Sequence, residues 1–181
     1  MSIVTQVLAA FFPPRCEPIS ELIAGRRALV RGKVVPRDLI ESTLTGEPCV
    51  YYRYSVEAQR ESTMAGLGSE GYWTPTRFDE AIVEFYLQDE AGDRLIVAPH
   101  RVRVERGRRE PAYVDMGVLG QRAHELIIRP GDVLEVQGLV ASVHDLFDED
   151  RDYRSNASRY MMCAGEDDVL QIRLNEFAGQ S

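Results

Sequence analysis

Apolar and polar residues alternate along most of the chain, with the period of two that is typical of β-strands. In segment 48–57 the predicted core face carries Val50, Tyr52, Tyr54 and Val56. Tyr51 lies on the opposite face of that segment and is expected to point outward. Segments 82–89 and 94–98 are two further predicted strands, joined by a turn at Gly92, since glycine readily adopts the positive φ that such turns need.

The order of these elements predicts a small barrel. Short strands separated by turn residues, with little helix between them, are typical of a β-sandwich or a small barrel. The turn at 130–132 leads into a strand at 133–140 that contains Gly138, and an internal glycine favours a sharply bending strand. We therefore predict a mainly β fold, an OB-like small β-barrel with a short N-terminal helical segment. The expected division is a helical appendage at 1–26 and one β-barrel domain at 27–177.

The N-terminal segment 2–12 is apolar and is followed by two prolines, which predicts a short amphipathic helix that ends there. Two interpretations of this helix remain open. It either docks on the domain through Val4, Leu8 and Phe11, or it contacts a membrane or a partner. The segment has no Lys or Arg to attract anionic lipid, which favours docking on the domain.

Charge and composition narrow the classes of partner. The net charge is −8 and the pI is about 5.0, so nucleic acid is an unfavourable partner, because affinity for phosphate comes largely from Lys and Arg. No apolar run reaches the ~20 residues of a membrane span, and no basic region precedes the apolar N-terminus as in a secretory signal. A cytoplasmic protein without a transmembrane segment is expected. The spacing of Cys16, Cys49 and Cys163 fits no zinc site, which predicts buried thiols, no metal and no cofactor.

Four features resemble the GIDE domain, also called BAM for "beside a membrane", and they occur in the family's order. Residues 42–53 (STLTGEPCVYYR) resemble the family motif S-P-L-S-G-x-P-C-V-x-Y-R, and Trp73 stands where the family tends to carry a tryptophan. Residues 85–92 (FYLQDEAG) resemble F-x-L-x-D-x-x-G, and residues 128–138 (IRPGDVLEVQG) resemble i-x-P-G-D-x-v-x-V-x-G. Most of these residues are turn glycines, prolines and apolar positions, so they specify a fold.

The resemblance implies a bacterial-type member of a family that also includes membrane-anchored E3 ubiquitin ligases. In those ligases the chemistry comes from a separate RING finger, which needs a tetrahedral Cys/His zinc set. Here the three cysteines and three histidines are scattered, so no RING, no ligase activity and no enzyme of any kind is expected. The family's membrane helices are also absent. The resemblance thus implies a non-enzymatic binding or adaptor domain whose partner is a protein, and a membrane-associated partner would place the chain at a membrane periphery.

An arginine cluster is the best candidate for a ligand site in this acidic chain. Its members are Arg101, Arg103, Arg106, Arg108 and Arg109. Guanidinium groups match phosphate oxygens, and an alternative function is therefore a sensor of a small anionic ligand. The competing interpretation is a solvated hairpin neutralised by nearby acids such as Glu105.

The predicted contact surface combines part of this cluster with aromatic side chains: Arg101, Arg103, Arg106, Trp73 and Tyr51. Trp73 is interpreted as the apolar anchor of a predicted hairpin loop at 60–80. No catalytic residue is assigned, because no G-x-S-x-G motif occurs and no cysteine or serine lies in a recognisable nucleophile setting. Cys49 is interpreted as a packed residue at the start of a strand.

Overall fold

The computed structural model of the chain describes five stretches of it: residues 15–60, 72–105, 112–115, 120–143 and 160–174. The predicted helix at 2–12, most of the loop expected at 60–80, and Arg106 lie outside the described residues.

Within these stretches the chain forms one 3₁₀ turn, at Ile19–Glu21, and thirteen strands. The strands are β1 (Arg27–Pro36), β2 (Ile40–Glu41), β3 (Pro48–Cys49), β4 (Tyr51–Arg60), β5 (Tyr72–Ile82), β6 (Phe85–Gln88), β7 (Arg94–Val97), β8 (Val102–Glu105), β9 (Ala112–Asp115), β10 (Gln121–Ile128), β11 (Val133–Ser142), β12 (Tyr160–Cys163) and β13 (Leu170–Leu174).

Five strands close a barrel in the order β1-β6-β7-β12-β11, and β11 pairs back with β1. If these five strands are numbered 1 to 5 by their position in the sequence, their order around the barrel is 1-2-3-5-4. The barrel closes where the fourth strand pairs with the first. The pairing of β7 with β12 is parallel, and the other four pairings are antiparallel. This arrangement confirms the predicted mainly β fold and the OB-like small barrel. The helical part in the described residues is a single 3₁₀ turn, shorter than the predicted helical segment.

Buried and exposed residues alternate along β1, and the buried ones form part of the barrel core. Ala28, Val30 and Val34 on β1 are buried, whereas Arg31 and Lys33 between them are exposed.

Two glycines allow the barrel strands to approach one another closely. A Cβ at Gly32 would lie 2.5 Å from the carbonyl oxygen of Gln88, and a Cβ at Gly138 would lie 2.8 Å from that of Cys163. Gly138, at which a sharply bending barrel strand was predicted, therefore marks a position where only a hydrogen fits.

A second, four-stranded antiparallel sheet has the order β5-β4-β10-β9. Its strands come from two insertions into the barrel sequence: β4 and β5 lie between the first two barrel strands, and β9 and β10 lie between the third and fourth. The end of the sheet nearest the barrel shares its hydrophobic core through Tyr51, Leu126 and Ile128. The far end has a small cluster of its own, which consists of Tyr54, Val56 and Ala123.

Two predictions for this region are wrong. Tyr51 does not point outward, because the barrel covers that face of β4 and leaves the side chain 1% exposed. The loop expected at 60–80 does not extend to residue 80, because β5 begins at Tyr72. All eleven side chains of β5 are exposed or half-buried, so the strand lacks the apolar alternation by which a strand is recognised from sequence.

Candidate interaction surface on the second sheet

The structure divides the predicted contact surface between different sheets. Arg101 lies directly before β8 and Arg103 lies within it. β8 belongs to the larger sheet that contains the barrel. Trp73 lies on β5 at the edge of the second sheet, and Tyr51 is buried in β4. The hydroxyl of Tyr51 donates to Glu80 at 2.7 Å, which gives this side chain a structural role.

Arg101 holds two parts of the chain together. Its guanidinium donates to the carbonyl oxygens of Gly165 and Glu166, both at 2.6 Å, and its own carbonyl accepts the amide of Leu170 at 3.0 Å. Its φ of 53° lies in the left-handed region. These contacts fix the start of the parallel pair β8–β13, in which Leu170 faces Val102. An anion at Arg101 would have to compete with both carbonyl groups.

A groove of about 220 Å³ runs across the outward side chains of β1, β8, β11 and β13. Its charged members are Glu105, Glu135 and Arg173, and the guanidinium of Arg173 lies 3.1 Å from Glu105 and 3.9 Å from Glu135. Because two carboxylates lie beside one guanidinium, the net charge of the groove is negative. The groove therefore does not suit the anionic ligand that the arginine cluster suggested.

The turn of residues 42–47 is held in place by Glu125 on β10. The carboxylate of Glu125 is 2% exposed and accepts hydrogen bonds from the amide of Leu44 at 2.9 Å and from the hydroxyl of Thr45 at 3.1 Å. The hydroxyls of Thr45 and Ser42 lie 2.7 Å apart. Buried polar groups are stable when they are hydrogen-bonded in this way, so the hydrogen-bonded residues of this turn maintain the fold.

Cys49 follows the same turn and is fully buried. Its thiol donates to the carbonyl of Ile40 at 3.5 Å, and burial, with a smaller contribution from Glu125, raises its pKa to about 11. A thiol that stays protonated at neutral pH is a poor nucleophile. Nearby, a hydrogen bond to Glu47 raises the pKa of Arg129, so this pair also serves to hold the turn.

The outward face of β6 and β7, where OB folds bind ligands, has little exposed area here. Tyr86 and Ile96 are opposite each other in the ladder and alternate with the core residues Leu87 and Leu95. They should therefore point away from the barrel, yet they are only 7% and 2% exposed. A ligand platform of the usual OB type is not open at this position.

Large aromatic side chains are exposed along β5 instead. Tyr72 is 57%, Trp73 36% and Phe78 60% exposed, and we call these three residues the β5 aromatics. Within the described part of the chain, β5 is an edge strand with a neighbour on one side only. An exposed edge with large apolar side chains is a typical site of pairing or docking.

Trp73 is held in place by a cation–π contact. The guanidinium carbon of Arg122 lies 4.2 Å from the centre of the indole ring, and Arg122 also donates to Glu57 at 2.7 Å. Trp73 faces Gln59 in the ladder and Phe78 faces Ser55, so Trp73 and Phe78 lie on the same face of the sheet. The role of Trp73 in contacting a partner stays a prediction. Phe78 and Tyr72 were missed, because the apolar residues of β5 do not alternate regularly.

The described residues contain no group of three His, Cys, Asp or Glu side chains that could hold a metal ion. No helix in the described stretches is long and apolar enough to cross a membrane. No protein-family model, curated protein or solved structure matches this chain.

Proposed function

We propose that this chain is a non-enzymatic binding or adaptor domain of the GIDE type that contacts a protein partner through β5. The observation that carries the proposal is an eleven-residue edge strand with three large exposed aromatics. Aromatic side chains are enriched at protein interfaces, and an open strand edge offers backbone donors and acceptors to a partner.

Three polar side chains support a binding role, because each of them is engaged in a structural contact. Cys49 is buried and protonated, Glu125 holds the turn of residues 42–47, and Arg101 binds two carbonyl groups. These are structural contacts, and they leave none of the three side chains available for acid–base or nucleophilic chemistry.

The test is capture of partners from the cell in which the protein is native, with Phe78→Glu compared against the wild type. Leu39→Glu is the matched control, because Leu39 is 50% exposed but lies outside the second sheet. We expect Phe78→Glu to lose a partner that both the wild type and Leu39→Glu retain. Equal recovery of every partner by all three proteins would exclude β5 as the contact surface.

A sensor of a small anionic ligand is the second candidate function, and Arg103 is the residue that we propose would bind the anion. Arg103 is exposed on β8 and makes no ion pair with another described residue. Thermal-shift measurements with nucleotides and phospholipid headgroups separate the two functions. Stabilisation by one of these anions that Arg103→Glu abolishes favours the sensor, whereas no stabilisation favours the adaptor. We also propose a cytoplasmic location, and a membrane-associated partner would hold the chain at the periphery of that membrane.

A further inference from the structure

We propose that β5 pairs antiparallel with β5 of a second copy of this chain, about a two-fold axis at Phe78. This inference rests on the proposed function, because it names the partner of the same surface. Such an isologous contact would join two four-stranded sheets into one sheet of eight strands.

The backbone of β5 has open hydrogen-bonding groups toward this partner. The amide of Val83 donates to the carbonyl of Val50 at 2.9 Å, in the same register as the β4–β5 ladder. Hydrogen-bonded pairs alternate along an antiparallel ladder, so the odd residues of 77–81 turn their backbone groups toward β4. The even residues of 78–82 turn theirs toward the side on which no described strand lies.

The first half of β5 is unsuited to pairing. Pro75 has no backbone donor, and the ladder shifts register between Val56 and Glu57, which leaves Thr76 as an extra residue. Proline and bulges are devices that protect edge strands from unwanted pairing. Pairing about an axis at Phe78 is therefore confined to residues 77–79 of each copy, because residues 80 and 81 would face Thr76 and Pro75.

Charge selects one register for this edge. A two-fold axis at Asp79 or at Glu80 would place that carboxylate opposite its own copy, and like charges directly opposite are destabilising. An axis at Phe78 places the two phenyl rings opposite each other. It also places Arg77 of each copy opposite Asp79 of the other copy, which gives two contacts between opposite charges. Only this register of the three is complementary in charge.

Arg77 and Asp79 are placed for this contact. Both lie on the same face of the sheet, opposite Val56 and Tyr54. Arg77 makes no ion pair with another described residue, and its guanidinium lies 5.8 Å from the ring centre of Tyr54. Asp79 accepts a hydrogen bond from the hydroxyl of Tyr52 at 3.1 Å, which orients its carboxylate on that face.

The test uses the purified full chain, Arg77→Asp and Asp79→Arg in sedimentation over a concentration series. We expect the wild type to dimerise and each variant to dimerise at least about tenfold more weakly, because like charges then face each other. Mixing the two variants restores opposite charges at both contacts, so a heterodimer should form with nearly the wild-type affinity. A folding defect in either variant would not be repaired by mixing. A dimer that persists in Arg77→Asp would overturn the register.

A second measurement does not depend on the charge variants. Facing residues of a hydrogen-bonded antiparallel pair have Cα atoms about 5.5 Å apart, a separation that suits a disulfide. In a Cys16→Ser background, Phe78→Cys should form a covalent dimer on mild oxidation, and Tyr72→Cys should not. A wild type that stays monomeric, with no cross-link at Phe78→Cys, overturns the self-pairing. Phe78-dependent capture of another protein would still support the proposed function in that case.

Discussion

The carboxylate of Glu125 on β10 accepts a hydrogen bond from the backbone amide of Leu44, 81 residues earlier in the chain. A buried carboxylate is costly unless hydrogen bonds satisfy it, and the turn of residues 42–47 supplies that carboxylate with two donors. The turn and the second sheet therefore depend on each other for stability.

Replacing Glu125 by Leu should lower the free energy of unfolding by about 1–3 kcal/mol, because it leaves the half-buried amide of Leu44 without its acceptor. Glu125→Gln is the matched control, since its amide oxygen still accepts from Leu44, and it should lose less. Urea denaturation measures both values. Equal losses for the two variants would show that the hydrogen bond to Leu44 contributes little.

Gly32→Ala should destabilise the barrel by about 1–3 kcal/mol, the usual cost of overpacking. The added Cβ would lie 2.5 Å from the carbonyl oxygen of Gln88, which is backbone and has little freedom to move. Gly165→Ala is the control, because its Cβ would meet only the Cβ of Asp168 at 3.7 Å. Thermal unfolding that leaves Gly32→Ala as stable as Gly165→Ala would contradict the close approach of β1 and β6.

The Cys49 thiol predicts a pH dependence of stability. Its folded pKa of about 11 lies above the ordinary value of 9.0, so in that interval the folded state binds more protons than the unfolded state. The stabilisation is fully present below pH 9 and is lost as pH rises toward 11. The difference in unfolding free energy between the wild type and Cys49→Ala should therefore shrink over this window.

The same thiol should resist alkylation in the folded protein at pH 8. Cys16, for which a buried thiol was wrongly predicted, is exposed. It serves as the internal control, because it should be modified first when the protein is treated with iodoacetamide. Mass spectrometry of the peptides locates the label. Modification of Cys49 at the rate seen for Cys16 would mean that the thiol is accessible.

Arg101→Ala should cost about 1–3 kcal/mol, because it removes two hydrogen bonds from a charged donor. Arg103→Ala, on the same edge, should be nearly neutral, as exposed substitutions usually are. Hydrogen exchange should speed up at Leu170, whose amide donates to the Arg101 carbonyl. Unchanged exchange at Leu170 would show that the guanidinium does not secure β13.

The barrel was predictable because its strands follow local rules. The alternation in β1 and the glycine at 138 both reflect the geometry of a closed sheet. Cys49, interpreted from sequence as a packed residue, is fully buried.

The interaction surface was less predictable, because it depends on contacts between distant segments. Tyr51 is buried only because β4 packs against a barrel whose strands flank it in sequence on both sides. Arg101 looked like an anion ligand, since the carbonyl groups that it binds lie 64 and 65 residues further along the chain. Pro75 is a local sign of an edge strand, but the irregular apolar pattern of residues 72–82 hides the strand itself.

The division of the second sheet between two insertions also bears on the order of folding. β4 cannot pair with β10 until the chain between them, which includes two barrel strands, has closed into a large loop. Contacts of such high sequence separation form late and slowly. Because β5 is bound to the molecule through β4, these two strands reach their place beside β10 only after that loop has closed.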